Sequence, residues 1–479
     1  MDKELLSQAF SITKDYLETS SLLDYHVQLN YGHLYYGNDT RLYNIGDADA
    51  RIFMIGYILD IREDQKETED ILRALLSCYL NNEGAFLEEL SYMNGRFIVI
   101  LDDEADTVVY SDATAMRPMF YWNNTFISSH EIIIRETLER EFGINLDIRN
   151  YRMNGFLDFT DTESIYKFNP NMCFSFKNLK FTRIYPREVL NTLDMEEIFH
   201  STNEYFPTQV SWLDKHYDEI HLSLTGGFDS KFSLAVTKPL NKKIHYFTYM
   251  LEFTNAEKYD DMSQFRKIYY KDKSIVDNLV YNFNLNHRYF IFGNYQMPRD
   301  FQKKLEYNLS SKHSFVLSYL TDIEFNKGGI HIKSTLYELV KMTHSEYADK
   351  QTDHETMIRN IKRWAPKEIR ENYELLLEMY EAYYNRTKLE NAVSNNANLP
   401  VLLYWEFRMG NWHSNLTQET DRTLETFVLI NNRYMLDYFM RIKKEDRVAK
   451  SYLNKVVKWY WPALNYFVAN SFDTLEDSK

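Results

Sequence analysis

His221-Leu222-Ser223-Leu224-Thr225-Gly226-Gly227-Phe228-Asp229-Ser230-Lys231 reads as a short buried strand, a glycine turn and the start of a helix. Leu222 and Leu224 alternate with Ser223, as a strand requires. Gly226 and Gly227 carry no Cβ, so the chain can turn tightly and bring N–H groups close to an anion. From Ser230 onward Phe232, Leu234, Ala235 and Val236 fit a helix that Pro239 helps to end. The free N–H groups and positive end of that helix would face phosphates. Asp229 is a candidate ligand for Mg²⁺, a hard cation that prefers oxygen, and the Thr225 and Ser230 hydroxyls are candidate donors to phosphate oxygens. No G-K-[ST] follows four residues after a glycine, so this is not the phosphate loop of kinases and GTPases. The alternative is a plain strand–turn–helix whose glycines serve only the turn.

The 479 residues favour two or three domains with ample core. Hydrophobic residues make up 44% and charged residues 26%, which is a globular composition. Tyr (38) and Phe (31) are abundant while Gly (14) and Pro (9) are scarce, predicting aromatic cores and few flexible linkers. The net charge of −15 argues against nucleic acid as the main partner. Cys78 and Cys173 form no zinc pattern, no C-x-x-C and no disulfide framework, so a reducing, cytoplasmic setting is expected. The first residues, Met-Asp-Lys-Glu-Leu-Leu, lack the basic and apolar regions of a signal peptide. No apolar run approaches the roughly 20 residues of a membrane span.

Residues 94–122 hold three short β runs: Asn94-Gly95-Arg96-Phe97-Ile98-Val99-Ile100-Leu101-Asp102, then Val108 to Ala113, then Arg117-Pro118-Met119-Phe120-Tyr121-Trp122. The first two read as a hairpin across Asp103–Asp106. Ahead of them Ile71, Leu72, Leu75, Leu76 and Tyr79 recur at helical spacing over Thr68–Leu80. The mixture predicts a layered α/β sandwich.

These motifs carry a resemblance. Thr225 to Ser230 resembles the pyrophosphate loop S-G-G-x-D-S of enzymes that cleave ATP between the α- and β-phosphates, with Thr225 in place of serine. N-G-x-F-x-x-x-x-x-D at 94, followed by Asp112, Arg117, Pro118 and Tyr121, resembles the glutamine amidotransferase domain of asparagine synthetases. Thr162-Glu163-Ser164-Ile165-Tyr166 and Arg183-Ile184-Tyr185-Pro186 resemble the passage from that domain into the synthetase domain. The resemblance spans most of the chain. It implies a degenerate amidotransferase-like (Ntn-hydrolase-like) sandwich over 1–190. An ATP-binding domain on a parallel sheet (adenine nucleotide α-hydrolase-like), with added helices, would follow over 191–479.

Within that likeness the loop 223–230 (Ser223, Leu224, Thr225, Gly226, Gly227, Asp229, Ser230) implies pyrophosphate binding, and Phe247 and Thr248 an adenine-facing strand. Ser274 is expected to cap a helix carrying Asp277, the counterpart of the family's D-x-x-x-A helix, with an exposed structural aspartate as the equal alternative; His287 is expected to be structural. Residues 328–338 stand where the family has G-D-G-x-D-E. Lys333 and Ser334 replace most of it and Glu338 is the nearest acid, which implies Gly329, Ser334 and Glu338 at the substrate and Glu338 with Asp229 at Mg²⁺. Tyr373, Leu376, Leu377, Tyr380 and Tyr383 read as a core-facing helix. Arg408 and Arg433 are candidates to reach phosphate or carboxylate, with a structural ion pair as the equal alternative. The family's late R-x-K-x-G lysine is absent, leaving Lys455 and Lys458 as the late basic candidates.

The family's glutaminase uses a cysteine at residue 2, where this chain has Asp2. Relatives without it include β-lactam synthetases and lasso-peptide macrolactam synthetases, both ring-closing. The implied activity is an ATP-dependent, AMP-forming amide ligase on a small-molecule or peptide carboxylate, with a precursor peptide as a candidate partner. A nucleotide-binding paralogue without turnover, ammonia-dependent asparagine synthesis and a tRNA-modifying adenylating enzyme are the alternatives. The acidic charge and lack of paired cysteines weigh against the last. No glutaminase activity is expected; glutamate release from glutamine above a no-enzyme control would contradict this.

Overall fold

The structure, a computed structural model, describes residues 6–18, 23–47, 49–254, 258–311, 313, 315–341 and 354–469 (backbone only at 354–356). Asp2 lies outside the described residues. The fold is mixed α/β: two antiparallel sheets built by the N-terminal part and one parallel sheet by the rest.

Twelve strands form the antiparallel sheets: β1 (Phe10–Thr13), β2 (Tyr25–Leu29), β3 (Gly32–Tyr36), β4 (Leu42–Gly46), β5 (Ala50–Asp60), β6 (Met93–Asp103), β7 (Thr107–Ser111), β8 (Phe120–Trp122), β9 (Phe126–Ser128), β10 (Ile165–Lys167), β11 (Met172–Ser175) and β12 (Lys180–Arg183). One sheet has the order β10-β8-β9-β1-β3-β2, the other β12-β11-β7-β6-β5-β4. Side chains alternate across a strand, and this sequence exploits it. Phe53, Ile55, Ile98 and Ile100 point inward to Phe10, Ile12 and Leu34 of the facing sheet. Ile52, Met54, Phe97, Val99 and Leu101 point outward, under helices α1 (Thr68–Asn81) and α2 (Glu83–Ser91). Helix α3 (Glu131–Phe142) covers the other sheet through Ile132, Ile133, Ile134 and Leu138. The result is the expected layered sandwich, with the expected hairpin β6–β7.

After α4 (Met195–Asn203) and α5 (Phe206–His216) the chain builds β13 (Ile220–Ser223), α6 (Phe228–Val236), β14 (Ile244–Met250), α7 (Gln264–Phe283), β15 (His287–Ile291), β16 (Gly329–Ile332) and β17 (Leu424–Phe427). The five strands are parallel in the order β15-β14-β13-β16-β17. Strand order therefore reverses between β13 and β16. In open parallel sheets the crevice at such a reversal, beyond the carboxyl ends of the strands, is where ligands bind.

Two helix boundaries depart from expectation. Helix α7 begins at Gln264, capped by the Ser263 side chain accepting from Arg266 N, and Ser274 lies inside it. The polar stretch ahead of Ser274 hides a helix whose outer face is solvated. The Lys367–Tyr384 helix is two: Lys367–Arg370, then Tyr373–Thr387 capped by Asn372, with Leu376, Tyr380 and Tyr383 buried as expected.

Buried polar bonds join the sandwich to the rest. Arg183 grips Glu406 with Nη1–Oε1 at 2.6 Å and Nη2–Oε2 at 3.1 Å, and Asn169, Asn171 and Tyr383 donate to the same carboxylate. Arg96 pairs with Asp421 and Arg117 with Glu425. The amidotransferase-like motif is part of this seam: Asn94 Nδ2 donates to Val428 O at 3.0 Å, and Asn431 Nδ2 donates to Gly95 O at 2.8 Å. Arg433, a candidate anion contact, is spent here too, donating to the carbonyls of Ser111, Asp112 and Pro170.

Removing one partner of a buried pair strands the other charge, which typically costs about 3–5 kcal/mol. Glu406→Ala should lower the urea midpoint accordingly. Arg183→Met with Glu406→Met should recover part of the loss, because Asn169 and Asn171 still lose their acceptor. Equal stability of Glu406→Ala and wild type would contradict the seam's role.

Candidate functional site

A cavity of about 380 Å³ opens at the β13/β16 crevice. Its walls include Ser223, Thr225, Gly227, Asp229 and Ser230 on one side and His331, Lys333, Ser334, Thr335 and Lys341 on another. Phe247 and Tyr249 of β14 and Trp412, His413, Leu416, Glu419 and Thr420 complete it.

The loop is held by its own bonds. Leu224 is buried; its N–H donates to Phe247 O at 2.8 Å and its carbonyl accepts from Thr248 Oγ1 at 2.6 Å. The Ser230 and Thr225 hydroxyls lie 3.0 Å apart, and Ser230 Oγ is 2.8 Å from Thr225 O. Gly226 donates its N–H to Asp272 Oδ1 at 3.0 Å. A Cβ on Gly226 would come within 2.8 Å of that oxygen and of Ile275 Cδ1, so a larger residue would have to push these two side chains of α7 aside. The helix residue that meets the loop is therefore Asp272, not Asp277. Asp277 sits further along α7, bound to Lys273 and to the Tyr289 hydroxyl. Asp272 has Val276 four residues on, and that D-x-x-x-aliphatic spacing is a signal the sequence carries.

Asp229 and Glu338 are brought together as expected, but around a lysine. Lys341 Nζ lies 2.7 Å from Asp229 Oδ1 and 3.1 Å from Glu338 Oε1. Burial pushes the Asp229 carboxyl up, and Lys341 opposes that shift. Lys450, whose ammonium is 4.1 Å from the Phe228 ring centre, also acts on this pair. No group of three or more His, Cys, Asp or Glu among the described residues is arranged to hold a metal.

Lys333 follows β16, and burial pulls its ammonium down to about 8. His331 Nε2 and Ser223 Oγ lie 3.0 Å apart. His413 Nε2 and Thr335 Oγ1 are buried with no hydrogen-bond partner, so both are open to a ligand, while Asp229 Oδ1 has only its ion pair with Lys341. Burial keeps the His331 and His413 imidazoles neutral.

Other expected residues lie elsewhere. Gly329 is at the amino end of β16, packed against Glu219 and Leu424, at the opposite end of the strand from the loop. Ser334 donates to Ser233 Oγ of α6 at 2.8 Å, bracing the wall it lines. Thr248 lies behind the loop, 2.9 Å from His287 Nε2, and both are absent from the cavity wall. Arg408 stacks 3.6 Å over the Trp412 ring, where burial lowers it to about 10, and reaches the cavity only through that tryptophan. Lys455 pairs with Glu196 of α4 and Lys458 is exposed on the same helix, so neither lines the cavity. The cations at the loop are Lys333, Lys341 and Lys450. Their positions follow from where β16 and the Ser451–Tyr460 helix begin and end, which a lysine-motif search does not see.

The segment Tyr404–His413, wound with π-helical bonds, continues into Ser414–Gln418. One face lines the cavity with Trp412, His413 and Leu416. The other meets the sandwich: Asn411 Nδ2 donates to Leu157 O at 2.9 Å, Ser414 Oγ to Ala115 O at 2.5 Å and Gln418 Nε2 to Ser129 O at 2.9 Å.

No family model and no curated protein matches this sequence. Several solved structures resemble it remotely, two of them as follows. The NH3-dependent NAD synthetase of Campylobacter jejuni is 12% identical, covering 47% of this chain and 96% of its own, at a TM-score of 0.21. The glutamine phosphoribosylpyrophosphate amidotransferase of B. subtilis is 9% identical, covering 70% of each chain, at 0.22. At such scores neither assigns a role to any residue, and the site stands on its own geometry. Among the described residues no helix is long and apolar enough to cross a membrane.

His130, His221, His331 and His413 are all held below the ordinary imidazole value, first by burial, His130 to about 3 and His221 to about 4. The unfolded chain protonates these rings below about pH 6.5 while the folded one does not. Their stability contribution is full above that value and is lost as pH falls toward the folded values. Buried Asp421, whose carboxyl is raised by burial, acts oppositely at lower pH. Between pH 6.5 and 5 the unfolding free energy should fall on the order of 1 kcal/mol per pH unit for each histidine. A flat urea midpoint across that range would contradict it.

Proposed function

We propose that this chain is an ATP-dependent ligase that joins a carboxylate to an amine, releasing AMP and pyrophosphate, without glutaminase activity. The observation that carries the reading is the cavity at the strand reversal, bounded by the glycine loop and the start of α6 on one side and by Lys333 and Lys341 on the other. A helix start offers unpaired N–H groups to phosphate oxygens. Lys341 and Lys450 lie beside the same turn and would offset the charge of a leaving pyrophosphate.

A substrate carboxylate oxygen would attack the α-phosphorus as the bond from that phosphorus to the bridging oxygen breaks, and pyrophosphate leaves with the electron pair. An amine nitrogen would then attack the acyl carbon, AMP would leave with its oxygen, and the amine proton would pass to a base. Lys333, Thr335 and His413 are the groups positioned to seat the carboxylate. The cavity holds the reactants together, which is the main service such a reaction needs. Asp229 and Glu338 are the pair proposed for Mg²⁺, but with both on Lys341 the arrangement does not fit a metal ion as it stands. The amine would come from the substrate itself or from ammonia, and a peptide or small-molecule acid fits equally. Lysine in place of the family's acids weighs against aspartate as the acid. A cytoplasmic setting accords with the two unpaired cysteines.

A second reading is favoured by one observation. The Gly226 N–H already has Asp272, and Asp229 and Glu338 already share Lys341 as an ion-pair partner, as in a nucleotide-binding paralogue that does not turn over.

Pyrophosphate–ATP exchange with a panel of amino acids, sugar acids and extract of the source cells separates the two. Exchange in wild type should fall by about 100-fold or more in Asp229→Ala, the scale of losing one electrostatic contact to a transition state. ATP binding without exchange on any acid would favour the paralogue.

A further inference from the structure

We propose that Lys341 is a built-in counter-cation to Asp229 and Glu338, so that this carboxylate pair does not accept a divalent metal ion while the Lys341 ammonium is in place. This rests on reading the loop as a pyrophosphate site. The ammonium sits between the two carboxylates, 2.7 Å from one and 3.1 Å from the other, with its side chain only 11% exposed. It is thus enclosed on the pair. Lys450 adds a second positive charge that acts on both carboxylates.

A divalent ion bound next to Lys341 would face a like charge across the same carboxylates. No third carboxylate among the described residues joins the pair to offset that repulsion.

The test uses the full chain without nucleotide and Mn²⁺ alone, followed by electron paramagnetic resonance. Wild type and Lys341→Arg should bind Mn²⁺ weakly, because both keep a cation on the pair. Lys341→Met should bind it at least about tenfold more tightly, the effect expected of removing one adjacent like charge. Adding Asp229→Asn should abolish the gain. Lys341→Gln serves if the methionine variant does not fold. Equal Mn²⁺ affinity in wild type and both neutral variants would overturn the proposal, as would a gain that Asp229→Asn leaves intact. ATP titrated separately distinguishes the two readings: a Mn²⁺ gain in a chain that never binds ATP keeps the counter-cation and removes the ligase.

Discussion

The cavity depends on a segment with two masters. Residues 404–418 present Trp412, His413 and Leu416 to the cavity, and Asn411, Ser414 and Gln418 to carbonyls of the sandwich. Neighbouring residues on a helix point in different directions, so one element can serve both faces. Glu406, at the start of the segment, is clamped by Arg183, and Asp421, just beyond its end, by Arg96. Both ends of a cavity wall are therefore fixed by arginines from the antiparallel sheets. This gives the N-terminal part a physical role that needs no chemistry of its own: it is the ground against which the wall is positioned. The motif residues Asn94 and Gly95, whose pattern resembles an amidotransferase, make bonds to the segment after β17 instead.

The parts of this arrangement that sequence reveals are the local ones. The apolar β run 97–101 and the helical spacing of 71–79 are local patterns, and the loop 223–230 is legible because a strand, a glycine pair and a helix start are contiguous. The partners of the loop are not contiguous. Asp272 lies 46 residues on, inside a helix whose polar early turns mask its start, and the expectation fell on Asp277, one and a half turns away on another face. Lys341 and Lys450 reach the loop from segments more than a hundred residues downstream. Lys455 differs from Lys450 by little in sequence, yet a helix start between them turns one toward the loop and the other toward Glu196. Buried ion pairs such as Arg183–Glu406 are illegible for the same reason, since each charge in isolation reads as surface.

The loop also shows how a buried polar turn is held by partners from its own chain. A buried N–H or carboxylate left unpaired costs on the order of 1–3 kcal/mol, more when charged. Here the Gly226 N–H has an internal anion, Asp272, and the Asp229 and Glu338 carboxylates have an internal cation, Lys341. On the ligase reading proposed above, each would stand where a ligand of the same sign is received: a carboxylate in place of phosphate, an ammonium in place of a metal. Binding would then exchange one set of paired groups for another, with affinity the difference between them. Burial lifts the Asp272 and Asp229 carboxyls, and the Gly226 N–H and the Lys341 ammonium oppose that shift. On the proposed reading, a ligand carrying both charges would displace both partners together, where either charge alone would displace its rival and leave the other pair in place.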